Sequence, residues 1–221
     1  MSSTDPRPRP DVRDMYAIHN AFRRALSELP GQIDATPDGD TARAEQLASY
    51  TAETLWLLHV HHGGEDALVY PLLIERAPEH NELFEKMEGQ HQSVTASIEA
   101  TQAAAATYGA SHTPADGRML SEAGLALLAE LDVHLVEEET AVLPLAEEYL
   151  TVEEWAMQPP HALMQYQGER IWLPFGLVYE AVPPEQKPAM FGQLPPPVQD
   201  MWTGGGADAF AAEMASIRLG A

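Results

Sequence analysis

Histidine and glutamate occur at a fixed spacing in two places along the chain. His61 is followed four residues later by Glu65, and His134 is followed four residues later by Glu138. Residues four apart lie on one face of a helix, one turn from each other. Imidazole and carboxylate together are ligands that iron, manganese, zinc and copper accept. With two more histidines that fall on helical apolar stripes, the candidate metal ligands are His19, His61, Glu65, His91, His134 and Glu138.

All six candidates fall on the apolar stripe of a predicted helix, where the side chain faces the core. An isolated carboxylate in a core is costly unless it is protonated, paired with a cation or bound to a metal. No lysine or arginine lies on these stripes near the two acids. We therefore predict that four imidazoles and two carboxylates hold two metal ions, with the carboxylates bridging and two histidines on each ion.

A repeat within the chain supports this ligand set. Three positions recur 73 residues later: His61 as His134, Glu65 as Glu138, and Pro71 as Pro144. The repeat predicts two helical hairpins related by a pseudo-twofold axis. It also favours His61 over its neighbour His62, since only His61 has the ten-residue distance to a proline that His134 has. His62 is predicted to lie outside the ligand set or on the surface, with an auxiliary ligand role left open.

The elements that must position these residues are long amphipathic helices. Apolar residues at steps of three and four predict helices over about 11–29, 41–74, 81–108 and 118–150, the first capped by Asp11. The loops are predicted at 29–40 and 109–117, where proline, glycine and aspartate cluster. Pro71 and Pro144 are predicted to kink or end the regular part of their helices. The fold class is all-α, an up-and-down antiparallel four-helix bundle.

The segments on either side of the bundle differ from it in composition. Residues 1–10 are a Pro/Arg tail that we predict to be disordered. The bundle domain covers 11–150. Residues 151–221 contain half of the prolines and three of the four tryptophans of the chain. They predict a Pro-rich C-terminal extension of short helices packed on the bundle.

Two glycines interrupt the second helix between candidate ligands. Gly63 and Gly64 each cost roughly 1 kcal/mol relative to alanine inside a helix. Either the helix bends or widens there, or something approaches its backbone, or the pair is a tolerated weak point.

Other polar residues near the candidate ligands have two interpretations each. Asp66 and Glu139 are predicted to support the ligands from outside or to be solvated. Tyr16 and Tyr70 are hydrogen-bonding partners or core residues, with the core favoured. His59 is predicted to be exposed.

Charge and composition exclude several classes of protein. The net charge of −22 disfavours nucleic acid and anionic membranes as partners. The absence of cysteine excludes disulfides, thiol nucleophiles and cysteine metal sites. No secretory signal or membrane span is evident, so the predicted location is the cytoplasm.

The arrangement H-HxxxE-H-HxxxE resembles the hemerythrin-like family, the HHE cation-binding domain. It is carried by "AIHNAFRR", "HHGGEDALVYP", "GQHQSV" and "HLVEEETAVLP", within residues 11–150. The resemblance implies a four-helix bundle around a non-haem di-iron centre, two iron ions with an oxo or hydroxo bridge; manganese or zinc is less favoured. Thr95 and Glu139 stand where oxygen-carrying members have a histidine and an aspartate, which weakens the case for simple oxygen carriage.

The function expected from this set is reaction with dioxygen or peroxide, either catalase-like or O2-activating. The alternative is non-enzymatic: reversible O2 binding, or sensing of O2, iron or nitric oxide. A metal-free structural bundle is the third hypothesis. Expected partners are O2, peroxide or another small ligand and a reductase, and a homodimer is left open.

Overall fold

The protein is all-α in a computed structural model that describes residues 8–218. The bundle consists of α1 (Arg13–Asp34), α2 (Thr41–Gly64), α3 (Tyr70–Arg76), α4 (Asn81–Ser111), α5 (Pro114–Glu137) and α6 (Leu143–Tyr149). The C-terminal extension consists of α7 (Val152–Trp155), α8 (Gln158–Gln165), α9 (Trp172–Ala181), α10 (Lys187–Gln193), α11 (Pro196–Met201) and α12 (Ala207–Ile217). The predicted fold class, a helical bundle with added short C-terminal helices, is confirmed.

Four long rods form the bundle. Helix α1 packs against α5 and α2, and α4 packs against α2 and α5. Helices α2 and α3 form one rod and α5 and α6 another, because five-residue π-helical turns, Glu65–Val69 and Glu138–Val142, connect each pair without a break. The predicted disordered tail lies mostly outside the described residues. Its last residue, Pro10, is buried.

The two π-helical turns begin at the two candidate glutamates. Tyr70 donates its backbone N–H to the carbonyl of Glu65, five residues earlier, and Leu143 donates to Glu138 in the same way. In each case a proline, Pro71 or Pro144, follows at once. Proline has no N–H for the α-helical bond, so a wider turn before it costs less than it would elsewhere. The regular α-helix is thus interrupted before each proline, and it resumes at the residue just before the proline instead of ending there.

Two predicted loops are shorter than expected. Helix α1 continues through Pro30 to Asp34 rather than ending near residue 29, because Ile33 still packs into the core there. Helix α4 continues to Ser111, and only His112 and Thr113 separate it from α5. His112 takes a left-handed conformation (φ 57°), and the Thr113 side chain caps α5 by accepting the N–H of Asp116.

Gly109 and Gly117 fall in a predicted loop, but both lie inside helices. A Cβ on Gly109 would come within 2.8 Å of the Ala48 Cβ, and one on Gly117 within 2.9 Å of Ile33. These glycines let α4 approach α2 and α5 approach α1 closely. Glycine at these two positions marks helix contacts, not turns.

The extension shares a hydrophobic core with one end of the bundle. Leu173 and Ile217 are fully buried and belong to the same cluster as Leu29, Leu47 and Tyr50 of the bundle. Further members contributed by the extension are Leu177, Phe210 and Met214. The apolar face of the extension is therefore buried against α1 and α2.

Polar contacts join the extension to the bundle near the first and the last residues of the extension. Arg76 donates two hydrogen bonds to the Glu154 carboxylate, at 2.6 and 2.7 Å. Arg218 bonds Glu180 within the extension and Glu28 on α1. No helix among residues 8–218 is long and apolar enough to cross a membrane.

Candidate metal centre

Seven buried polar side chains meet inside the bundle. None of them has more than 8% of its surface exposed. They are His19, His61, His62, Glu65, His91, His134 and Glu138. The structure therefore brings all six sequence-predicted residues together and adds His62.

The seven residues form two groups of four that share one member. One group is His62, Glu65, His91 and His134; the other is His19, His61, Glu65 and Glu138. Within each group, one donor atom per residue lies within 4.8 Å of all the others. Glu65 belongs to both groups and has two oxygens, so it is placed to bridge two ions. Glu138 belongs to only one.

The distances between donor atoms suit coordination. The Nε2 atoms of His19 and His61 lie 3.3 Å from an oxygen of Glu138 and of Glu65, respectively. The Nε2 of His91 lies 3.5 Å from the other Glu65 oxygen and 3.2 Å from the Nε2 of His134. Donors that each sit about 2.0–2.2 Å from one ion are themselves separated by roughly 3–3.5 Å. Small shifts of the side chains would therefore bring the four donor atoms of either group to distances suitable for binding one ion.

The unsatisfied polar atoms of the protein concentrate at this cluster. Among the described residues, the buried atoms without a hydrogen-bond partner include both oxygens of Glu65, both ring nitrogens of His62, and one atom each of His19, His61 and Glu138. Buried polar groups are almost always paired, and leaving one unpaired is costly. A donor set this rich in lone pairs fits a cation, which would satisfy all of these atoms at once.

His62, for which the sequence left an auxiliary ligand role open, lies in the cluster and not on the surface. It is 3% exposed, and its ring stacks on that of His91 at a centroid distance of 4.2 Å. Leu135 occupies the equivalent position of the second repeat, so matching the two halves of the chain discards His62. The signal that could have found it is the i, i+3 spacing to Glu65, which also places two side chains on one helix face.

A second set of residues holds the histidines in orientation. Asp66 lies 2.8 Å from the Nδ1 of His91, and Glu139 lies 2.9 Å from the Nδ1 of His19. Glu139 is in turn bonded by the guanidinium of Arg23 at 2.7 Å. A carboxylate on Nδ1 fixes the tautomer and leaves Nε2 as the donor toward a metal. Asp66 and Glu139 thus orient two of the candidate ligands, and each lies one residue beyond a clustered glutamate.

Sequence reasoning did not identify Gln90 as part of this second set. Its amide oxygen lies 3.2 Å from the Nδ1 of His134, and its amide nitrogen donates to Glu137 at 2.9 Å. Gln90 precedes His91 and carries no spacing signal, because its role depends on α4 lying beside α5. Three of the five histidines are therefore held at Nδ1, whereas no described side chain holds the Nδ1 of His61 or His62.

The remaining residues that the sequence analysis considered differ in their burial and in their contacts. Thr95 donates its hydroxyl to the carbonyl of His91 on its own helix, at 2.8 Å. Tyr16 is 40% exposed, and its hydroxyl lies 3.4 Å from the carbonyl of Glu139. Tyr70 is buried with its ring 5.4 Å from that of His91, and its hydroxyl has no partner among the described residues. His59 is exposed, as expected.

Burial shifts the protonation of most of the cluster. Burial lowers the pKa of His61 and His62 well below the usual imidazole value and lowers the pKa of His134 to about 4. Burial and the nearby Glu138 raise the pKa of Glu65 well above its usual value. These three imidazoles are therefore neutral at pH 7, which is the form that binds a metal.

His19 and Glu138 form the charged pair of the cluster. Burial alone would lower the pKa of His19 and raise the pKa of Glu138. Their contact at 3.3 Å, together with Glu139 at the other ring nitrogen of His19, outweighs burial, so the pKa of His19 rises and that of Glu138 falls to about 2. A raised pKa favours the protonated forms of His19 and Glu65, so cation binding would compete with protons at both residues.

The comparison with known proteins agrees with this geometry. The family model described as the hemerythrin HHE cation binding domain matches residues 11–146, which span the bundle and all seven clustered residues. No curated protein and no solved structure matches the chain. A match over more than half of the chain, with the His/Glu cluster at its centre, indicates a metal site within the matched region. The chain belongs to the hemerythrin HHE cation-binding domain family.

Proposed function

We propose that this protein holds two iron ions in the His/Glu cluster and reacts there with peroxide or dioxygen. The observation that carries the proposal is the sharing of Glu65 between two groups of four buried donors. A carboxylate common to both groups suits a two-metal site, and iron is the metal implied by the family. Iron held by imidazole and carboxylate supplies electrons to, or accepts them from, oxygen species.

The residues of the chain have separate tasks in this proposal. The seven clustered side chains would hold the ions, and Glu65 is the residue common to both groups of donors. Asp66, Glu139 and Gln90 orient three histidines through Nδ1. Each group offers four protein donors, so an iron ion held there would have room for a small molecule as a further ligand.

Apolar residues lie on both sides of the cluster along the helices. One apolar group, which includes Leu73, Met87 and Val142, packs on one side, and another, which includes Phe22 and Leu131, packs on the other. Burial and the two glutamates also raise the pKa of Tyr70, so its hydroxyl, which has no partner among the described residues, keeps its proton and is free to donate a hydrogen bond to a small ligand near His91. Burial in a medium of low dielectric constant strengthens the electrostatic attraction between the cations and an anionic ligand such as peroxide.

The test is metal analysis combined with a peroxide assay. We expect protein loaded with Fe(II) without oxygen to retain two iron ions per chain. It should develop a visible absorption band on addition of hydrogen peroxide and consume excess peroxide catalytically. Glu65→Gln should lose most of the iron and the activity, since both groups need this carboxylate. Glu148→Gln, on the exposed face of α6, is the matched control and should behave as wild type.

Two results would contradict the proposal. Protein that retains no iron would exclude the metal site itself. Protein that retains iron but reacts with neither peroxide nor dioxygen would exclude the redox function. A stable band that forms with O2 and disappears on deoxygenation would show reversible binding instead.

A further inference from the structure

A cavity of about 200 Å³ lies between the bundle and the C-terminal extension. One wall comes from α1 and α2, including Ile18, Trp56 and Val60. The other comes from α8 to α11 and the segments between them, including Leu163 and Val178. The cavity therefore exists only because the extension folds back over this face of the bundle.

The lining determines what the cavity accepts. Its walls are overwhelmingly aliphatic and aromatic side chains. Among the described residues that line it, Asp14 carries a formal charge at neutral pH and no lysine or arginine is present. Asp14 accepts a hydrogen bond from the indole of Trp155 at 3.1 Å, which fixes this carboxylate in place. An anionic ligand would meet a like charge and no cation, so the lining favours a neutral apolar molecule.

The volume sets the size of that molecule. A protein cavity of about 150 Å³ lined by apolar residues stays dry and binds benzene. A cavity of about 200 Å³ therefore accommodates an apolar compound somewhat larger than benzene, such as a two-ring aromatic.

The cavity also reaches the candidate metal centre. His61 and Gly64 form part of its lining. His61 is 8% exposed, the largest exposure of the seven clustered residues, and no described side chain bonds its Nδ1. A methyl group added to Gly64 would meet only the ring of His161, at 3.8 Å, so the backbone is open to the cavity there. A molecule in the cavity thus contacts His61 from the side opposite the cluster. The Nε2 atom of the same ring lies 3.3 Å from a carboxylate oxygen of Glu65.

We propose that this cavity is a binding site for a small, neutral, apolar organic molecule, held between the extension and the bundle in contact with His61. The binding itself does not depend on the metal. That the bound molecule lies beside a reactive centre rests on the function proposed above.

The test is calorimetric titration of the full-length protein with naphthalene and with 2-naphthoate, which differ by one carboxylate. Naphthalene should bind with a Kd on the order of tens of micromolar, as expected for burial of two aromatic rings. The carboxylate should bind at least tenfold more weakly. No binding of naphthalene, or equal binding of both compounds, would overturn the proposal.

Two variants locate the site. Ala162→Phe adds a ring inside the cavity from α8 and should weaken naphthalene binding at least tenfold. Ala126→Phe adds the same ring on the exposed face of α5, outside the lining, and should leave binding unchanged. Equal loss in both, or in neither, would place the bound naphthalene elsewhere. The readout is heat of binding, so failure here is separate from failure to bind iron or to consume peroxide.

Discussion

At the scale of single residues, two adjacent histidines serve different halves of the cluster. Neighbouring residues of a helix point about 100° apart. His61 and His62 both reach the cluster because Glu65 lies one turn further on, at i+4 from one and i+3 from the other. His61 belongs to the group with Glu138, and His62 belongs to the group with His91. The pair therefore divides its donors between the two predicted ions.

Replacement of His62 tests this division. His62→Ala should reduce the bound iron from two ions per chain to one, since it removes a donor from one group and leaves the other complete. The measurement is iron analysis after anaerobic loading. His59→Ala, an exposed histidine on the same helix, is the control and should retain both ions. Full iron content in His62→Ala would show that His62 is not a ligand.

Sequence reasoning identifies six of the seven clustered residues because ligand chemistry and helix periodicity coincide at those positions. A histidine or glutamate on an apolar stripe is conspicuous without any structure. His62 is not among the six because the repeat favours His61 at that position, although the i, i+3 spacing to Glu65 leaves an auxiliary role for His62 open. The role of Gln90 cannot be predicted from sequence, because a glutamine next to a histidine has no characteristic spacing. Its contact with His134 forms only when α5 packs beside α4.

At the scale of the elements, the widened turns occur in both halves of the bundle, and the glycines occur in only one. The π-helical turn at Glu138 follows Leu135, Val136 and Glu137, none of which is glycine. Gly63 and Gly64 are therefore not required to form such a turn. A Cβ on Gly63 would meet nothing within 4 Å.

Gly63→Ala should accordingly stabilise the protein. The expected gain is about 1 kcal/mol in the free energy of unfolding, because alanine restricts the unfolded chain and favours the helix. Urea unfolding followed by circular dichroism measures it. Gly89→Ala in α4 has equal space and should give a similar gain. A loss of bound iron confined to Gly63→Ala would show instead that the site needs this glycine.

The contact between α3 and α7 should make stability depend on pH. The hydrogen bonds from Arg76 lower the pKa of Glu154 to about 2. A carboxylate whose pKa is lower in the folded state stabilises the fold above its unfolded pKa of about 4.3, and this contribution is lost as the pH falls through the folded value. Glu154→Gln should therefore be less stable than wild type at pH 7.

The difference between the two proteins should shrink steadily as the pH falls from about 4.5 to 2. Urea unfolding at each pH measures it, with chelator present throughout so that loss of metal does not contribute. Glu153→Gln, an exposed neighbour on α7, is the control and should show no such change. A difference that stays constant with pH would show that the Arg76 contact does not stabilise the fold.

At the scale of the whole molecule, the extension and the bundle share one core. Leu173 is fully buried in a cluster that includes residues of α1, α2, α4 and α5. We therefore expect both parts to unfold together. The high net negative charge opposes compactness, so burial of this shared apolar surface matters for stability.

Leu173→Ala should lower the free energy of unfolding by roughly 2–5 kcal/mol through the cavity it leaves. Helix content and tryptophan fluorescence should change in a single transition with the same midpoint, since the tryptophans lie in both parts. Met164→Ala removes a 72% exposed side chain from the extension and should cost less than about 0.5 kcal/mol. Two separate transitions would show that the extension folds independently of the bundle.

The helical fold, the two-hairpin repeat and six clustered donors follow from the order of residues alone, because spacing along a helix fixes which side chains share a face. The packing of the helices against one another settled three further points: His62 joins the donors, Glu65 lies between two groups, and Gln90 orients His134. The same packing makes the extension enclose an apolar cavity beside His61. These features depend on the rotation of each helix about its own axis and on which distant segment packs beside it. The spacing of residues along the chain does not directly encode the rotation or the neighbouring segment.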